Sequence, residues 1–117
     1  MKKIYHLSTC DTCRKILSEI SAAEKGFEMQ DIKTEKISPA ELDALKEKAG
    51  SYEALFSRRA LKYKEMGLKD KTLTEADYRR LILQEYTFLK RPVIVAGNKM
   101  FIGSEKKTMD EVKRSIG

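Results

Sequence analysis

The sequence contains only two cysteines, a single histidine and no long apolar run. A usual structural zinc site takes about four ligands, mostly cysteine and histidine, so this chain cannot supply one and we expect no bound metal. A membrane-spanning helix needs about 20 consecutive apolar residues, and no segment approaches that length. The first residues, Met1–Lys3, lead into a strand without the apolar segment of a secretory signal. These absences predict a cytoplasmic protein without a membrane partner.

Length and charge narrow the function further. With 117 residues the chain is long enough for one domain with its own core, so disulfides are not needed for stability. Lysine and arginine number 24 against 18 acidic residues, which gives a net charge of +6. The two signs are interleaved along the chain, whereas nucleic-acid binding usually needs a continuous basic face. We therefore do not expect direct binding to DNA or RNA.

Both cysteines fall in one motif, Cys10-Asp11-Thr12-Cys13, at the point where a strand pattern gives way to a helix pattern. At a helix N-terminus the helix dipole and the unpaired N–H groups favour a thiolate over a thiol. In the cytoplasm, where thiols stay reduced, such a pair indicates redox or nucleophilic chemistry. The alternatives are half of a zinc site or two incidental thiols.

Hydrophobic periodicity predicts a β-α-β unit at the start of the chain. Lys2–Leu7 is apolar enough for a buried strand, a helix runs from Asp11 to a stop at Gly26, and a second strand covers Phe27–Ile32. The crossover implies that the two strands pair in parallel.

The middle of the chain, about residues 38–89, has the pattern of about three or four short helices. Ser38 opens a capping box, and Thr74 marks the N-terminus of the last of these helices. The apolar face predicted for that helix extends as far as Tyr86 and Leu89.

A hairpin and a final helix complete the pattern. A strand over Arg91–Val95, a turn and a strand over Lys99–Ile102 are followed by a helix over Thr108–Ile116. The sequence therefore predicts an α/β protein with a thioredoxin-like fold, β-α-β then β-β-α, and a helical insertion between the halves. We expect a single domain over residues 1–117.

Four residues near the motif are candidates for its chemistry. Cys10 is the better nucleophile because it precedes the helix and meets its free N–H groups. Cys13, one turn further on, is predicted either to resolve a mixed disulfide or to be a small buried apolar residue. Arg14 adds positive potential or is a solvated first-turn arginine, and His6 tunes the thiolate or is merely satisfied at a strand end.

Arginines elsewhere in the chain are candidates for binding an anion. Pro92, which opens the third strand, has the option of a cis peptide bond. In a thioredoxin-like sheet that turn would lie across from the cysteines, so Arg91 would aim its donors at an oxyanion held near Cys10. The alternative is an edge-strand proline with a solvent-facing arginine. Arg58 and Arg59, between two helical pieces, either reach a site or are simply exposed.

The order of these residues resembles that of the arsenate reductase (ArsC) family, which also contains Spx-type regulators. The resemblance covers essentially the whole chain and rests on three stretches: Tyr5–Cys10 with Cys13–Lys15, Arg59 with Tyr63–Leu68, and Phe88–Val95 with Ile102 and Gly103.

The resemblance implies a redox-active Cys10 and a cis Pro92. It also implies that Arg91 is one of three arginines that hold the oxyanion in the arsenate-reducing members. The other two positions correspond to Ser57 and Ile102. Cys13 and Arg59 look more like the Spx-type and related reductase-like branches.

These observations predict a thiol-dependent oxidoreductase in which Cys10 attacks arsenate or a glutathione-linked disulfide. Cys13 or an external thiol resolves the product, with glutathione, glutaredoxin or thioredoxin as the reductant and no bound cofactor. Arg59, Arg91 and Arg14 are predicted to bind the anion, supported by His6 and Pro92. The alternative is an Spx-like redox-sensing regulator that binds RNA polymerase, with a disulfide between the two cysteines as the switch.

Overall fold

The structure, a computed structural model, describes residues 2–9, 11–19, 25–103 and 105–116, except for the side chains of Thr12 and Ile116. Cys10 lies outside the described residues, as do Ile20 and Ala23 of the predicted first helix. The chain divides into two compact units, Met1–Glu35 with Arg91–Gly117 and Lys36–Lys90. Each unit is described by itself below, and a single domain over residues 1–117 stays a prediction.

The first unit contains the sheet. Its four strands within the described residues are β1 (Lys2–His6), β2 (Glu28–Asp31), β3 (Val93–Ala96) and β4 (Lys99–Ile102). Their order is β2-β1-β3-β4, with β1 parallel to β2 and antiparallel to β3, and β3 antiparallel to β4. The predicted parallel unit and the predicted hairpin are both confirmed, in the thioredoxin-like order.

Two helices of this unit, α1 (Asp11–Glu19) and α5 (Lys106–Ile116), share a core with the sheet. Side chains alternate between the faces of a strand, and one face of β1, β3 and β4 supplies Ile4, Ile94 and Phe101 to this core. Its buried members are Ile4, Ile16, Phe27, Ile94, Phe101, Met109 and Val112. An ion pair of 3.2 Å between Lys113 Nζ and Glu19 Oε2 also joins the two helices.

The hairpin between β3 and β4 is closed by the two-residue loop Gly97-Asn98. Gly97 has φ +62°, a left-handed conformation that a two-residue hairpin turn requires and that glycine adopts without a steric penalty. The turn fixes the β3–β4 register, in which Ala96 pairs with Lys99.

The second unit contains α2 (Pro39–Ala49), α3 (Leu61–Glu65) and α4 (Glu75–Gln84), with 3-10 turns at Glu53–Leu55, Leu68–Asp70 and Tyr86–Phe88. The capping box predicted at Ser38 is present: the Ser38 Oγ accepts from the Glu41 N–H at 3.1 Å, and the Glu41 carboxylate accepts from the Ser38 N–H at 3.0 Å. Thr74 and Asp77 form the same motif at the start of α4. No helix in the described part of the chain is long and apolar enough to cross a membrane.

The last helix of this unit is shorter than predicted. It ends at Gln84, and the extension of its apolar face to Tyr86 and Leu89 is wrong. Leu89 instead forms an antiparallel bridge with Phe56, and the Lys90 N–H donates to the Leu55 carbonyl at 2.8 Å. Pairing between distant backbone segments therefore ends the helix, and helical periodicity carries no sign of it.

Aromatic rings fill the centre of the second unit around Phe56, which is fully buried. Its ring stacks on Phe88 with 4.9 Å between centroids and lies 4.9 Å from the Tyr78 ring. The edge of Tyr63 meets it at 6.0 Å. Such contacts add a modest energy beyond area burial, so the rings link α3 and α4 to the Phe56–Leu89 bridge.

A polar cluster ties α2 to α4 in the same unit. Arg79 donates to both oxygens of Asp43, from Nε at 2.9 Å and from Nη2 at 3.2 Å. The Tyr52 hydroxyl donates to Asp43 Oδ1 at 2.6 Å. Because the Arg79 and Tyr52 hydrogen bonds favour the charged carboxylate, they lower the pKa of Asp43 to about 2.

We predict that Asp43→Asn lowers the thermal unfolding midpoint by a few degrees at pH 7. The folded-state pKa of Asp43 lies below its unfolded value of about 3.9, so this stabilisation is present above that pH and is lost as the pH falls towards 2. The gap in midpoint between the two proteins, measured by circular dichroism, should therefore narrow between pH 4 and pH 2. Asp70→Asn, at an exposed carboxylate of the same unit, should leave the midpoint unchanged. A gap of constant size down to pH 2 would contradict this account.

Candidate active site

The C-terminal end of β1 brings together three segments of the first unit. His6, the last residue of β1, pairs with Asp31, the last residue of the parallel strand β2. On the other side Tyr5 pairs with Val93, the first residue of antiparallel β3. Continuing that register by one residue places Pro92 opposite His6. We call this region the β1 end; it consists of His6, Asp31 and the Arg91–Pro92 pair.

The nucleophile predicted from the sequence follows the β1 end along the chain. Cys10 falls between Thr9, the last described residue after β1, and Asp11, where α1 begins, and it lies outside the described residues. The strand-to-helix context predicted for the motif is confirmed by its described neighbours, whereas the catalytic role of Cys10 stays a prediction.

His6 is half-buried at the β1 end. Its Nδ1 atom is buried and has no hydrogen-bond partner among the described residues. Burial disfavours the charged imidazolium and lowers the pKa of His6, while the nearby Asp31 carboxylate opposes part of that effect. His6 is therefore a neutral imidazole at pH 7, with one ring nitrogen available to a further group.

Asp31 is a site residue that the sequence patterns did not single out. Its Oδ1 accepts from the Ser8 N–H at 3.3 Å and from the Lys33 N–H at 3.1 Å, which fastens the segment after β1 to the end of β2. The hydrogen bond from Ser8 lowers the pKa of Asp31, so the carboxylate stays ionised. The sequence held part of the signal: parallel strands end at the same edge of a sheet, so a polar residue near the end of the second strand is a candidate neighbour of His6, but the pattern does not fix which one.

The Arg91–Pro92 peptide bond is cis, as the resemblance implied. Pro92 is buried, and its carbonyl accepts from the Gly103 N–H at 3.0 Å, while Arg91 is half-buried. The alternative of an edge-strand proline is wrong, because β3 lies between β1 and β4 inside the sheet. The arginine is therefore held next to a central strand, at the β1 end.

Cys13 and Arg14, neighbours on α1, have opposite environments. The Cys13 side chain is completely buried. Arg14 is exposed, and its guanidinium forms an ion pair with Asp11 one turn earlier. The structure thus agrees with the alternatives of a small buried residue at Cys13 and a solvated first-turn arginine at Arg14, while the roles of both in chemistry stay predictions.

The remaining arginine candidates lie in the second unit. Arg58 donates to Glu53 Oε2 at 2.7 Å and to the Tyr78 hydroxyl at 3.1 Å, so it takes part in holding that unit together. Arg59 is exposed in the turn before α3, and only its backbone N–H has a described partner, the Ser57 Oγ at 3.4 Å. The Arg59 guanidinium is therefore the one of this pair that remains available to an anion.

The two positions where the resemblance places further arginines carry no charge. Ser57 is half-buried, and its N–H donates to the Phe88 carbonyl at 2.7 Å. Ile102 is the last residue of β4. Within the described residues, no group of three or more histidine, cysteine, aspartate or glutamate side chains is arranged to hold a metal ion.

Comparison with known proteins agrees with the sequence resemblance. The ArsC family matches residues 5–112 of the chain. The Bacillus subtilis protein YusI is 30% identical over 112 residues, a stretch that covers 92% of this chain and 93% of YusI.

Solved structures share the fold over nearly the whole length. The Staphylococcus aureus protein SACOL0876 is 27% identical with a TM-score of 0.75, and the match covers 95% of this chain and 97% of that protein. An arsenate reductase from Vibrio cholerae is 19% identical with a TM-score of 0.78, over 99% and 97% of the two chains. The likeness to the Vibrio protein concerns the fold alone.

The His6 environment generates a prediction that a single titration tests. The chain has one histidine, so one imidazole signal is followed by NMR from pH 8 to pH 4. We expect a pKa below 6.5 because burial disfavours the imidazolium. Asp31→Asn should lower that pKa further, since it removes the carboxylate that opposes the effect of burial, whereas Asp110→Asn on α5 should not change it.

A pKa of His6 at or above 6.5, or one that rises in Asp31→Asn, would show that burial does not control this side chain. The lowered pKa of His6 also makes the stability of the protein depend on pH. Because the unfolded chain binds a proton more readily than folded His6 does, the free energy of unfolding should fall as the pH drops below about 6.5.

Proposed function

The chain belongs to the ArsC family, and from this membership we propose that it is a thiol-dependent reductase with Cys10 as its nucleophile. The observation that best supports the proposal is the strand register at the β1 end. It pairs His6, the last residue of the strand that leads towards Cys10, with Asp31, and the β1–β3 register continued past Val93 leads to Pro92 and Arg91. A polar imidazole, a carboxylate and a guanidinium at one strand end are the groups that nucleophilic attack on an anionic substrate requires.

His6 enters the proposal as a hydrogen-bonding group. Its lowered pKa leaves the ring neutral at pH 7, so it does not stabilise a thiolate through a fixed positive charge. We propose that the unpartnered Nδ1 atom exchanges a hydrogen bond with the substrate or the thiol during turnover. The ionised Asp31 carboxylate orients the segment after β1 through the Ser8 N–H.

The reaction that fits these groups is a two-electron reduction by thiols. With arsenate as substrate, the Cys10 thiolate bonds to arsenic and an arsenate oxygen leaves as water. A second thiol then attacks the Cys10 sulfur: the sulfur–arsenic bond breaks and its electron pair stays on arsenic, so that arsenic(V) becomes arsenic(III) and the two sulfurs form one disulfide. With a glutathione-linked disulfide as substrate, Cys10 attacks one sulfur, the other leaves as a thiolate, and a second thiol releases Cys10.

Complete burial of Cys13 favours an external thiol in the second step. A thiol that resolves a mixed disulfide must reach the sulfur attached to the nucleophile, and a buried structural cysteine is generally inert. Glutathione, with glutaredoxin or thioredoxin to restore it, therefore becomes the proposed reductant. Cys13 contributes packing to α1.

The arginines decide which substrate fits better. Arg91 is the arginine of the β1 end, whereas the positive charge of Arg14 is offset by the carboxylate of Asp11, with which it pairs. We include Arg59 as an anion-binding residue because the sequence resemblance points to it and because its guanidinium is available. Since Ser57 and Ile102 supply no guanidinium contacts, a glutathione-linked disulfide fits the site at least as well as arsenate does.

The cysteines supply the decisive test of the reductase. Purified protein is assayed for reduction of arsenate and of a glutathione mixed disulfide, with glutathione plus glutaredoxin or with thioredoxin. We expect Cys10→Ser to abolish turnover because it removes the nucleophile. Cys13→Ala, the matched control, should retain most of it because an external thiol resolves the product.

Two other results would count against this mechanism. Equal loss of turnover in both variants, with both folded by circular dichroism, would make Cys13 the resolving thiol. Absence of turnover with every donor, together with binding to RNA polymerase that depends on oxidation of the cysteines, would replace the reductase with the Spx-like regulator.

Arg91 supplies a separate prediction on anion binding. Arg91→Ala removes a charge-assisted contact worth about 1.5–3 kcal/mol, so kcat/KM should fall by about 10- to 150-fold. Arg91→Lys should recover part of the loss, because lysine keeps the charge but not the bidentate geometry. Arg80→Ala on α4 is the control and should change neither kcat nor KM. Unchanged kinetics in Arg91→Ala would show that Arg91 does not bind the anion.

A further inference from the structure

The β4 strand forms an edge of the sheet whose outer backbone groups are unpaired within the described part of the chain. Antiparallel pairs alternate between hydrogen-bonded and non-hydrogen-bonded. The hairpin pair Ala96–Lys99 and the Gly103 N–H donation to the Pro92 carbonyl set this alternation. Lys99 and Phe101 thus bond inward to β3, while the N–H and C=O groups of Met100 and Ile102 point outward.

A cavity of about 370 Å³ opens beside this edge, between β4 and α5. It is lined by Lys99, Phe101, Glu111, Arg114 and Ser115. Its volume falls within the range of about 300–1,000 Å³ that is typical of ligand pockets. The lining combines an aromatic floor, Phe101, with polar and charged walls.

The charges of the cavity favour an acidic occupant. Lys99 and Arg114 give it two positive charges against the single negative charge of Glu111. Neither cation forms an ion pair with a described residue; Arg114 Nε donates to the Asp110 carbonyl at 3.4 Å. The whole chain carries a net charge of +6, which adds to the attraction at long range.

We propose that the β4 edge and this cavity, together called the β4 groove, bind an extended acidic peptide segment. The segment adds to the sheet as a fifth strand, with its backbone bonded to Met100 and Ile102. Every second side chain then points towards α5, so that one carboxylate meets Lys99 and Arg114 while the apolar side chain two residues away packs on Phe101. This is the strand-addition mode of peptide recognition, in which backbone bonds give affinity and a pocket gives specificity.

A second copy of this chain fits the groove less well. Two β4 edges paired with each other would bring the Lys99 side chains and two net charges of +6 together, and a lysine on an edge strand opposes such pairing. The proposal does not depend on the reductase chemistry, because no side chain of the β1 end contacts the peptide in it.

The probe is a fluorescein-labelled octapeptide, Glu-Thr-Val-Thr-Glu-Thr-Val-Thr, which places glutamate and valine on the same face of a strand. It is titrated with the full chain and followed by fluorescence anisotropy. We expect saturable binding with chemical-shift changes at the Met100 and Ile102 amides. Lys99→Glu and Arg114→Glu should each weaken binding about five- to tenfold. Lys33→Glu makes the same charge change near β2, at the opposite edge of the sheet, and should leave affinity within about twofold.

Backbone pairing is tested separately from charge. Two versions of the peptide carry N-methyl groups on alternate amides, one version for each edge of the added strand, and at least one should lose binding. Met100→Pro removes an outward N–H donor of β4, so it should also abolish binding. The variant is expected to fold, because proline is tolerated where the N–H of an edge strand faces solvent. The methylated peptides test the backbone pairing even where Met100→Pro does not fold.

Four results would overturn the proposal. They are equal binding of the same octapeptide with lysine in place of glutamate, binding of both methylated peptides as tight as that of the unmethylated one, competition by acetate or phosphate as effective as that by the peptide, and dimerisation of the chain that Met100→Pro disrupts. The third result would assign the cavity to small anions, and the fourth would assign the edge to a second copy.

Discussion

The pairing of β1 with a different type of neighbour on each side determines where the functional groups of the first unit lie. Parallel pairing with β2 puts the C-terminal residues His6 and Asp31 side by side, and antiparallel pairing with β3 brings the start of that strand to the same place. A slip of one residue in either register would turn every side chain to the other face of the sheet. The burial of Ile4 and Ile94, which pair with each other in the core, opposes such a slip between β1 and β3, so packing and chemistry depend on the same register there.

Local signals account for what the sequence predicted well. The capping box at Ser38, the helix N-terminus at Thr74 and the hairpin turn before Lys99 each depend on a few adjacent residues, and all are found where the sequence places them. The cis form of Pro92 came from the family resemblance, since an isolated Arg-Pro pair only permits it.

Non-local pairing accounts for most of what the sequence missed. The bridge between Phe56 and Leu89 joins residues far apart in the chain, so the end of α4 at Gln84 has no local signal. Asp31 was missed for a related reason: its role depends on which residue of β2 lies beside His6, and periodicity predicts a strand but not its register.

Cys13 and His6 lie close in the sequence but have different environments. Cys13 has no exposed surface, while His6 keeps a buried ring nitrogen that no described residue satisfies. Interiors rarely leave a polar atom without a partner, and such atoms are frequent where a substrate or a reacting group completes the bonding. The spacing of a C-x-x-C motif is therefore compatible with one structural and one reactive cysteine.

The two functional regions proposed for the first unit meet at one backbone contact. The Gly103 N–H at the end of β4 donates to the carbonyl of Pro92 at 3.0 Å, beside Arg91. A strand added at the outer edge would bond to Met100 and Ile102, whose groups point away from β3, and would leave this inward bond in place. Coupling between sites requires an element with two arrangements that both sites bias, and a strand added in this way leaves the β3–β4 ladder in its present register. Peptide binding at the groove and reduction at the β1 end should accordingly be independent, so that a saturating peptide leaves KM for the small substrate unchanged.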